Sequence, residues 1–576
     1  MSKNKKTQQG KHKNVKSSLK NDNNSINRKK TILLLIVVFC LPLLIYLPTV
    51  KYGYTNFDDD LMITANKAFL SNFGNIGQAF LTDQFIDKTS SFYRPAGTAS
   101  YMLDILFSGG NNVWMYHFSS ALILGITACV LFILLRKMNF PLLTACFASL
   151  IYYVHPLFVS TTAHIPNRAE LLLSLFSLLS FLFLIEFLNK KKPVYLFWHG
   201  ITFTIALFCK ETAAFLPFIF ILYYFIRRNK NRPAKLPYEK KDFVIPAIYG
   251  VAGLFWYWLR SIALRGVVSF DTSFGLKPFF LNLRIIPEAM SKFFLPSDIA
   301  PIPGYSLFKT ISGLIIIILM IVVFFKINKA HHKEKIFGIS WFMILLVPSM
   351  LYKAPYFDYL DHRFFLPLTG IIFFVLFSIP EKWHKTYSKK FIWLPIVAVI
   401  ALSTATIIKS RSYSDPMTFC NSSIKHNPNS FLAYHNRGLI YAREELYDKA
   451  FDDFNKAIDI YPDFPYTYNN RAIIFENRGL HDKAIADYTK AIELKRDYLM
   501  PYMSRGLIYE NLGLIDNAIN DYLKATEIQP DYAMAYNNLG IVYHRKGLVD
   551  NACQEFKKAM DLGLEQGSEN FNRLCK

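Results

Sequence analysis

The sequence is poor in cysteine, with seven in 576 residues, and these seven do not form a disulfide framework. Four of them lie inside apolar segments: Cys40, Cys129, Cys146 and Cys209. A cysteine in such a segment usually packs as a small hydrophobic residue. The other three, Cys420, Cys553 and Cys575, lack the close spacing of metal ligands. We therefore expect neither a disulfide-stapled fold nor a metal among the site residues, and the use of a divalent cation in catalysis stays open.

Acidic residues are nearly absent from residues 1–30, which hold ten Lys and Arg and a single acid, Asp22. Such a segment cannot bury a core, so we predict a disordered basic tail. The net charge of +23 would suit a nucleic-acid partner. The remaining dense basic runs are short and separate apolar stretches, as cytoplasmic loops do. We therefore expect no nucleic-acid partner.

Apolar residues make up 52% of the chain and cluster into about eleven runs close to the ~20 residues that cross a bilayer. The predicted spans are 31–50, 113–135, 139–157, 170–188, 194–209, 212–226, 243–259, 311–326, 336–352, 364–379 and 391–408. The first run contains two prolines and lacks a small-residue cleavage site. We therefore interpret it as a retained span rather than a cleaved signal peptide.

The basic loops predict how these spans are oriented. Four basic runs lie in alternate loops between the predicted spans: 190–192, 227–241, 326–335 and 382–390. By the positive-inside rule the N-terminus is cytoplasmic and everything after Lys409 is extracytoplasmic. Reading 194–209 and 212–226 as one broken helix would reverse the later topology, but it would place the basic run 227–241 outside.

A 34-residue period begins after residue 430. Aromatic and small residues recur in register, as in Tyr434, Tyr468, Tyr502 and Tyr536, and in Gly438, Ala472, Gly506 and Gly540. This is the tetratricopeptide (TPR) pattern, in which small residues let paired helices approach closely. The first helix of each repeat also carries a polar residue at one position: Asn436, Asn470, Ser504 and Asn538. The asparagines could hold an extended acceptor peptide by its backbone, or could serve local helix packing.

The sequence thus predicts an all-α protein, with a polytopic membrane domain followed by an α-solenoid. We divide it into a cytoplasmic tail, a membrane domain, a linker or degenerate helix, four TPR repeats and a short tail. The corresponding ranges are 1–30, 31–410, 411–430, 431–566 and 567–576. A long outer loop, 51–112, follows the first span.

Three adjacent acids in this outer loop, Asp58, Asp59 and Asp60, are candidates for catalysis. One carboxylate could act as a general base while a neighbour tunes its pKa. The alternative is a solvated turn or a helix cap, for which Asp is well suited. We take Asp58 or Asp59 as the base and leave the choice between them open.

Several ionisable residues map to the same outer side as these acids. The candidate phosphate ligands are Arg94, His155, Arg168, Lys210 and Arg363, with His164 nearby, and the candidate supporting residues are Glu211, Asp361 and His362. Cations beside acids at a membrane surface suit a reaction of an anionic lipid headgroup, in which the cations stabilise the departing phosphate. Taken singly, a residue of this kind is more often an interfacial anchor or a snorkelling cation than part of a site.

The motifs that carry these residues occur in a recognisable order. They read FDDD at 57–60, SFYRPAGTASYMLDILFSGG at 91–110, MYHFSSALILGITACVLFILLRK at 115–137, YYVHPLFVSTTAHIPNRAELL at 152–172, FCKETAAFLPFIFIL at 208–222, DHRFFLPLTG at 361–370 and IIKSRSYSDPMTFCNSSIKHNPNS at 407–430. Together with the terminal repeats, the chain resembles the transmembrane-and-TPR-repeat O-mannosyltransferases of the GT-C glycosyltransferase superfamily. Asp361 departs from the family, which commonly has Glu at that place.

The resemblance implies a membrane glycosyltransferase of GT-C type. It would transfer a sugar, expected to be mannose, from a polyprenyl- or dolichyl-phosphate donor to a protein hydroxyl with inversion. The lipid-phosphate sugar would be a co-substrate, and no cofactor is expected. The composition, rich in Lys, Asn and Ile, favours a bacterial inner-membrane protein with an undecaprenyl carrier. The alternatives are another GT-C transfer, to a glycan or a lipid, and a non-enzymatic membrane-anchored TPR scaffold.

Overall fold

The computed structural model describes residues 28–86, 92–231, 240–265, 273–353, 360–380, 383 and 391–575. Over these residues the fold is α-helical, apart from one two-residue antiparallel pairing of Ser273–Phe274 with Tyr352–Lys353. The chain separates into two compact units, Met1–Ser422 and Ser423–Lys576. The predicted fold class, a helical membrane domain followed by a helical repeat domain, is confirmed. The predicted tail at 1–30 lies outside the described residues up to residue 27.

The first unit is built from long apolar helices joined by short helical turns. Its α-helices after the first span are Lys67–Ser71, Ile76–Ala79, Pro95–Ser108, Val113–Lys137, Leu142–Tyr153, Val159–Ala163, Arg168–Lys190, Pro193–Cys209, Leu216–Asn231, Lys240–Ala263, Leu276–Leu281, Ile285–Phe294, Leu307–Lys326, His332–Met350, Thr369–Ser378, Trp393–Ser410 and Pro416–His426. Short 3-10 turns occupy Leu47–Lys51, Phe73–Asn75, Pro156–Phe158, Ile165–Asn167, Glu211–Phe215, Asn282–Arg284, Lys329–His331, Asp361–Phe364 and Arg411–Tyr413, and a π-helical turn occupies Asp60–Thr64.

Every predicted span coincides with a helix, but the helices differ in how well they suit a bilayer. Among the described residues, six are long and apolar enough to cross one: Arg28–Lys51, Val113–Lys137, Ile165–Lys190, Phe243–Ala263, Leu307–Lys326 and Trp393–Tyr413. A seventh candidate is Leu142–Tyr153 with Pro156–Ala163, which are bent by 47° from each other. The four other predicted spans are shorter or more polar helices. The count of eleven therefore comes from apolar runs, whereas six or seven helices meet both requirements of length and composition.

Prolines break the chain where the candidate site lies. Pro156 opens a 3-10 turn, and His155 before it has an extended backbone, with ψ of 130°, because the proline ring crowds it. Pro166 is the second residue of another 3-10 turn, which His164 precedes with ψ of 109°. His164 lies between the Val159–Ala163 helix and the Arg168–Lys190 helix. The breaks place both histidines outside regular helix.

The second unit consists of four helix pairs and a final helix, as the 34-residue period predicts. The helices are Phe431–Arg443, Tyr447–Ile460, Pro465–Asn477, His481–Leu494, Leu499–Asn511, Ile515–Ile528, Ala533–Arg545, Val549–Asp561 and Glu565–Leu574. The recurring small residue is needed because an aromatic ring of the second helix rests on it. A Cβ added to Gly438 would lie 2.6 Å from Phe454, and one added to Gly540 would lie 2.6 Å from Phe556.

The C-terminal end of this unit differs from the sequence prediction. The residues assigned to a tail after 566 are mostly helical, in Glu565–Leu574. A disulfide joins Cys553 to Cys575 with their Cα atoms 5.6 Å apart, a pairing that the sequence analysis did not predict. A separation of 22 residues gives no local signal of pairing, because only the packing of the last helix brings them together. The predicted linker contains the helix Pro416–His426.

Candidate active site

The acidic loop has an unusual backbone. Asn56 and Asp58 both have positive φ, 54° and 68°. Asn and Asp enter this left-handed region more easily than other residues, although it remains costly. Backbone strain of this kind persists only where surrounding contacts hold it, and it is common at functional sites. The residue between them, Phe57, supplies those contacts.

His164 holds this loop in place. Its Nε2 lies 2.9 Å from the carbonyl oxygen of Phe57, and its Nδ1 lies 3.1 Å from the side-chain amide nitrogen, Nδ2, of Asn167. Because the Asn167 amide nitrogen can only donate, Nδ1 is the acceptor and Nε2–H donates to Phe57. The Phe57 ring also lies 5.5 Å from the ring of Phe419. His164 therefore positions the loop, a role that its place after a predicted span did not reveal.

Asp59 and Asp58 differ in their surroundings. The carboxylate of Asp59 is buried, and its Oδ2 accepts hydrogen bonds from the Thr55 amide at 2.7 Å and the Thr55 hydroxyl at 2.6 Å. The carboxylate of Asp58 is accessible and has no hydrogen bond to any described residue. Asp60 is exposed at the start of the following helical turn. Asp59 thus fixes the loop, and Asp58 presents its carboxylate.

The surroundings also alter the acidity of both groups. Burial raises the pKa of the Asp59 carboxyl. The surrounding protein also partly desolvates the Asp58 carboxyl and so raises its pKa. His164 and Arg94 oppose the rise at Asp58, whereas the neighbouring Asp59 adds to it. A carboxylate with a raised pKa holds a proton more strongly than an ordinary aspartate and is a better general base.

Arg94 and Lys210 are cations held by acids. The Nε of Arg94 lies 3.5 Å from Oε2 of Glu211, whose other oxygen accepts from the Tyr93 amide at 3.0 Å. The Lys210 ammonium pairs with Glu170. Glu211 was predicted to support the site. Glu170 was not, although a lone acid near the start of an apolar helix was a possible signal.

Arg363, by contrast, has no such ion pair within the part of the chain that the structure describes. Its guanidinium is half-buried, and no acid among the described residues forms an ion pair with it. It lies 5.8 Å from the ring of Tyr352 and is close enough to Arg94 and Lys210 to be repelled by both. His362 is close to the same cations. A half-buried guanidinium among like charges is stabilised by an anion, and phosphate matches its geometry.

Two predicted phosphate ligands have other roles in the structure. Arg168 is fully buried and donates to Asp104, the Tyr116 carbonyl and Ser120. His155 lies 2.9 Å from the Phe293 carbonyl through Nε2 and accepts from the Leu157 amide through Nδ1. Their polar atoms are therefore occupied by packing contacts, and we remove both residues from the set of proposed ligands.

Asp361, predicted as a supporting residue, pairs with a buried lysine. Its Oδ1 lies 2.7 Å from the Lys292 ammonium, and both side chains are buried. Lys309 and Lys409 lie within electrostatic reach of this pair. The sequence analysis did not single out these lysines, because each lies in a different segment and only the fold gathers them. Asp361 therefore anchors a second ionic cluster beside Arg363.

Comparisons with known proteins agree with this division of the chain. Residues 98–256 match the family described as dolichyl-phosphate-mannose-protein mannosyltransferase. Residues 431–464, 465–498, 511–547 and 533–562 match TPR families. No curated protein matches the sequence.

Solved structures resemble at most about a third of the chain. A crystal structure of MamA is 26% identical, with a TM-score of 0.25, and the match covers 27% of this chain and 90% of that one. YrrB, described as a TPR protein with an unusual peptide-binding site, is 20% identical, with a TM-score of 0.25 and coverage of 33% and 98%.

The two kinds of family match occur in the order that the motifs indicated, the mannosyltransferase first and the repeats after it. The mannosyltransferase match, residues 98–256, includes Glu170 and Lys210. This combination of a mannosyltransferase match and TPR matches agrees with the resemblance to the transmembrane-and-TPR-repeat O-mannosyltransferases that the motifs indicated.

Proposed function

We propose that this protein transfers a sugar, mannose, from a polyprenyl-phosphate carrier to a hydroxyl group of an acceptor protein on the extracytoplasmic face. The observation that carries the proposal is an accessible carboxylate, that of Asp58, in the electrostatic range of the cation Arg94. Arg94 is in turn close to Arg363, which forms no ion pair with an acid among the described residues. A base and an open anion site are the two elements that this reaction requires.

The chemistry is a single displacement. Asp58 accepts the proton of the acceptor hydroxyl, and the oxygen attacks the anomeric carbon of the donor. The bond from that carbon to the phosphate oxygen breaks with inversion, and the lipid phosphate leaves. Arg94, Lys210 and Arg363 stabilise the negative charge that develops on it. Purified protein incubated with a panel of polyprenyl-phosphate sugars should release lipid phosphate from the mannosyl donor, and release from none of them would reject the proposal.

The side of the membrane follows from two independent features. The basic runs place the outer loop and the repeats on the extracytoplasmic side. The Cys553–Cys575 disulfide supports the same side, because disulfides persist in oxidising compartments and are rare in the cytoplasm. An inner membrane of a bacterium, with an undecaprenyl carrier, fits both features.

This topology predicts opposite results for two reporter fusions. A reporter joined after residue 240 should lie in the cytoplasm, and one joined after residue 420 should lie outside. Cys553 and Cys575 should resist thiol labelling in intact cells until a reductant is added, whereas a Cys553→Ser variant should leave Cys575 open to labelling. Both reporters on one side, or labelling of the wild-type pair without reductant, would contradict the arrangement.

The repeats are proposed to bind the acceptor. Asn436, Asn470 and Asn538 are half-buried on the first helices of their repeats. The Asn470 side-chain oxygen accepts from Asn469 at 3.3 Å, and the Asn538 side chain contacts the hydroxyl of Tyr522. Each amide has further hydrogen-bonding capacity, which an extended peptide backbone can use irrespective of its sequence. That property would suit an enzyme that modifies many proteins.

Replacing Asn470 and Asn538 together by Ala should weaken acceptor-peptide binding by about tenfold, since one or two net hydrogen bonds are lost. Donor hydrolysis should be unchanged. Asn517→Ala, which alters an exposed asparagine of a second helix, is the matched control. Peptide binding can be measured by fluorescence anisotropy. Equal affinities for all three proteins would mean that the repeats dock a partner by another surface.

A further inference from the structure

A polar cavity of about 400 Å³ opens at the end of the membrane unit away from Asp58. It is lined by the charged residues Arg227 and Glu334, by His331, and by two asparagines, Asn139 and Asn328. The Arg227 guanidinium donates to Asn189 at 3.1 Å, and Nδ1 of His331 lies 3.7 Å from Oε2 of Glu334. The cavity thus presents one guanidinium and one carboxylate in the same space.

A second cavity of about 630 Å³ adjoins the first and is apolar. The two cavities share three lining residues, Pro141, Leu376 and Ile379. The walls of the second cavity include Leu142, Phe147, Ile151, Val375, Trp383 and Pro395. A cavity with charged groups in its wall, next to an apolar one, has the two-part character of a phospholipid.

The position along the membrane normal also suits a lipid. Residue 138 follows the Val113–Lys137 helix, and Arg227 belongs to the last part of the Leu216–Asn231 helix. These ends carry basic residues and are cytoplasmic in the topology proposed above. The Val113–Lys137 helix rises by ~1.5 Å per residue over 25 residues, so its two ends lie on opposite faces of a bilayer. The cavity is therefore at headgroup depth on the face opposite the candidate active site.

We propose that the paired cavities bind a phospholipid of the cytoplasmic leaflet whose headgroup is a phosphoethanolamine. Arg227 pairs with the phosphate, and Glu334 accepts hydrogen bonds from the primary ammonium, while the acyl chains fill the apolar cavity. The group beyond the phosphate distinguishes the headgroups: a phosphoglycerol headgroup brings no cation to Glu334, and a trimethylated ammonium offers no N–H to it. This site is separate from the proposed transfer reaction.

Native mass spectrometry of the full-length protein tests the proposal with three synthetic lipids that share the same acyl chains. Occupancy by the phosphoethanolamine lipid should exceed that by the phosphocholine lipid about fivefold or more, and the phosphoglycerol lipid should also bind more weakly. On the wild-type protein, stepwise N-methylation of the headgroup should lower occupancy at each step. This methylation series requires no variant, so misfolding cannot obscure its result.

Variants then separate the two contacts. Glu334→Gln should abolish the preference for phosphoethanolamine over phosphocholine, and Arg227→Gln should weaken binding of both lipids about tenfold. Lys326→Gln, at an exposed basic residue outside both cavities, is the control and should bind as wild type does. Equal occupancy by all three headgroups, or an unchanged preference in Glu334→Gln, would overturn the proposal.

Discussion

Asp58→Asn is expected to lower the sugar-transfer rate by ~10²–10⁴-fold, the usual effect of removing a general base. Asparagine keeps the size of the side chain and tolerates the positive φ of this position, so the loop conformation should survive. Its amide cannot accept the proton of the acceptor hydroxyl. Donor binding should remain within about twofold of wild type, because the proposed phosphate ligands are other residues. The comparison requires initial rates of transfer and a separate measurement of donor affinity.

Asp60→Asn is the matched control, since Asp60 is the exposed member of the same acidic run and should tolerate the change. Asp59→Asn should also impair the enzyme, but through the loss of the acceptor for the Thr55 amide and hydroxyl, and thus with lower thermal stability. Wild-type rates in both Asp58→Asn and Asp59→Asn would show that the base lies elsewhere.

The pH profile gives a further test of the same assignment. A general base must be deprotonated, so kcat/KM should fall as the pH drops through the pKa of Asp58. Because the surrounding protein partly desolvates the Asp58 carboxylate and so raises its pKa, the acid limb should lie above the value of ~3.9 for an ordinary aspartate. Arg94 lowers the pKa of Asp58, so Arg94→Gln should move the limb to still higher pH. A limb at or below the ordinary value would contradict the assignment.

Arg363→Ala is expected to weaken donor binding by ~10–100-fold, the cost of one or two charge-assisted hydrogen bonds to phosphate. Arg363→Lys should recover only part of this loss, since an ammonium cannot make the paired contacts of a guanidinium. Binding can be measured by displacement of a labelled polyprenyl phosphate, with kcat determined in parallel.

The stability of the same variants distinguishes a ligand-binding residue from an anchor. Arg363 is buried against protein that penalises its charge, is repelled by Arg94 and Lys210, is attracted by Glu170 without an ion pair to any described residue, and should therefore be removable with little or no loss of thermal stability. A membrane anchor would instead destabilise the protein when replaced. Lys51→Ala, at an exposed basic residue after the first span, is the control for charge on the outer face. Unchanged donor affinity in Arg363→Ala would remove this residue from the site.

Much of the architecture could be predicted because it depends on local patterns. The apolar runs, the basic loops and the 34-residue period are properties of neighbouring residues, and each predicted span and repeat coincides with helices. The period also predicts why Gly438 must be small, since the same spacing brings Phe454 against it. These features follow from helical periodicity and from two free-energy costs, that of exposing apolar groups to water and that of burying charged groups in the bilayer.

The identity of the site residues depended on the tertiary structure. From the sequence alone, Arg168 and Arg363 were equivalent cations beside apolar helices, but packing gives Arg168 the buried partner Asp104 and leaves Arg363 without an acid among the described residues. The sequence likewise did not distinguish Asp58 from Asp59, and our proposal of Asp58 as the base depends on the hydrogen bonds by which Thr55 holds Asp59. Whether a charged side chain is neutralised depends on groups that approach from distant segments. Such contacts follow from how the helices pack and not from spacing along the chain, and for this reason the sequence determined the elements while the fold decided their chemistry.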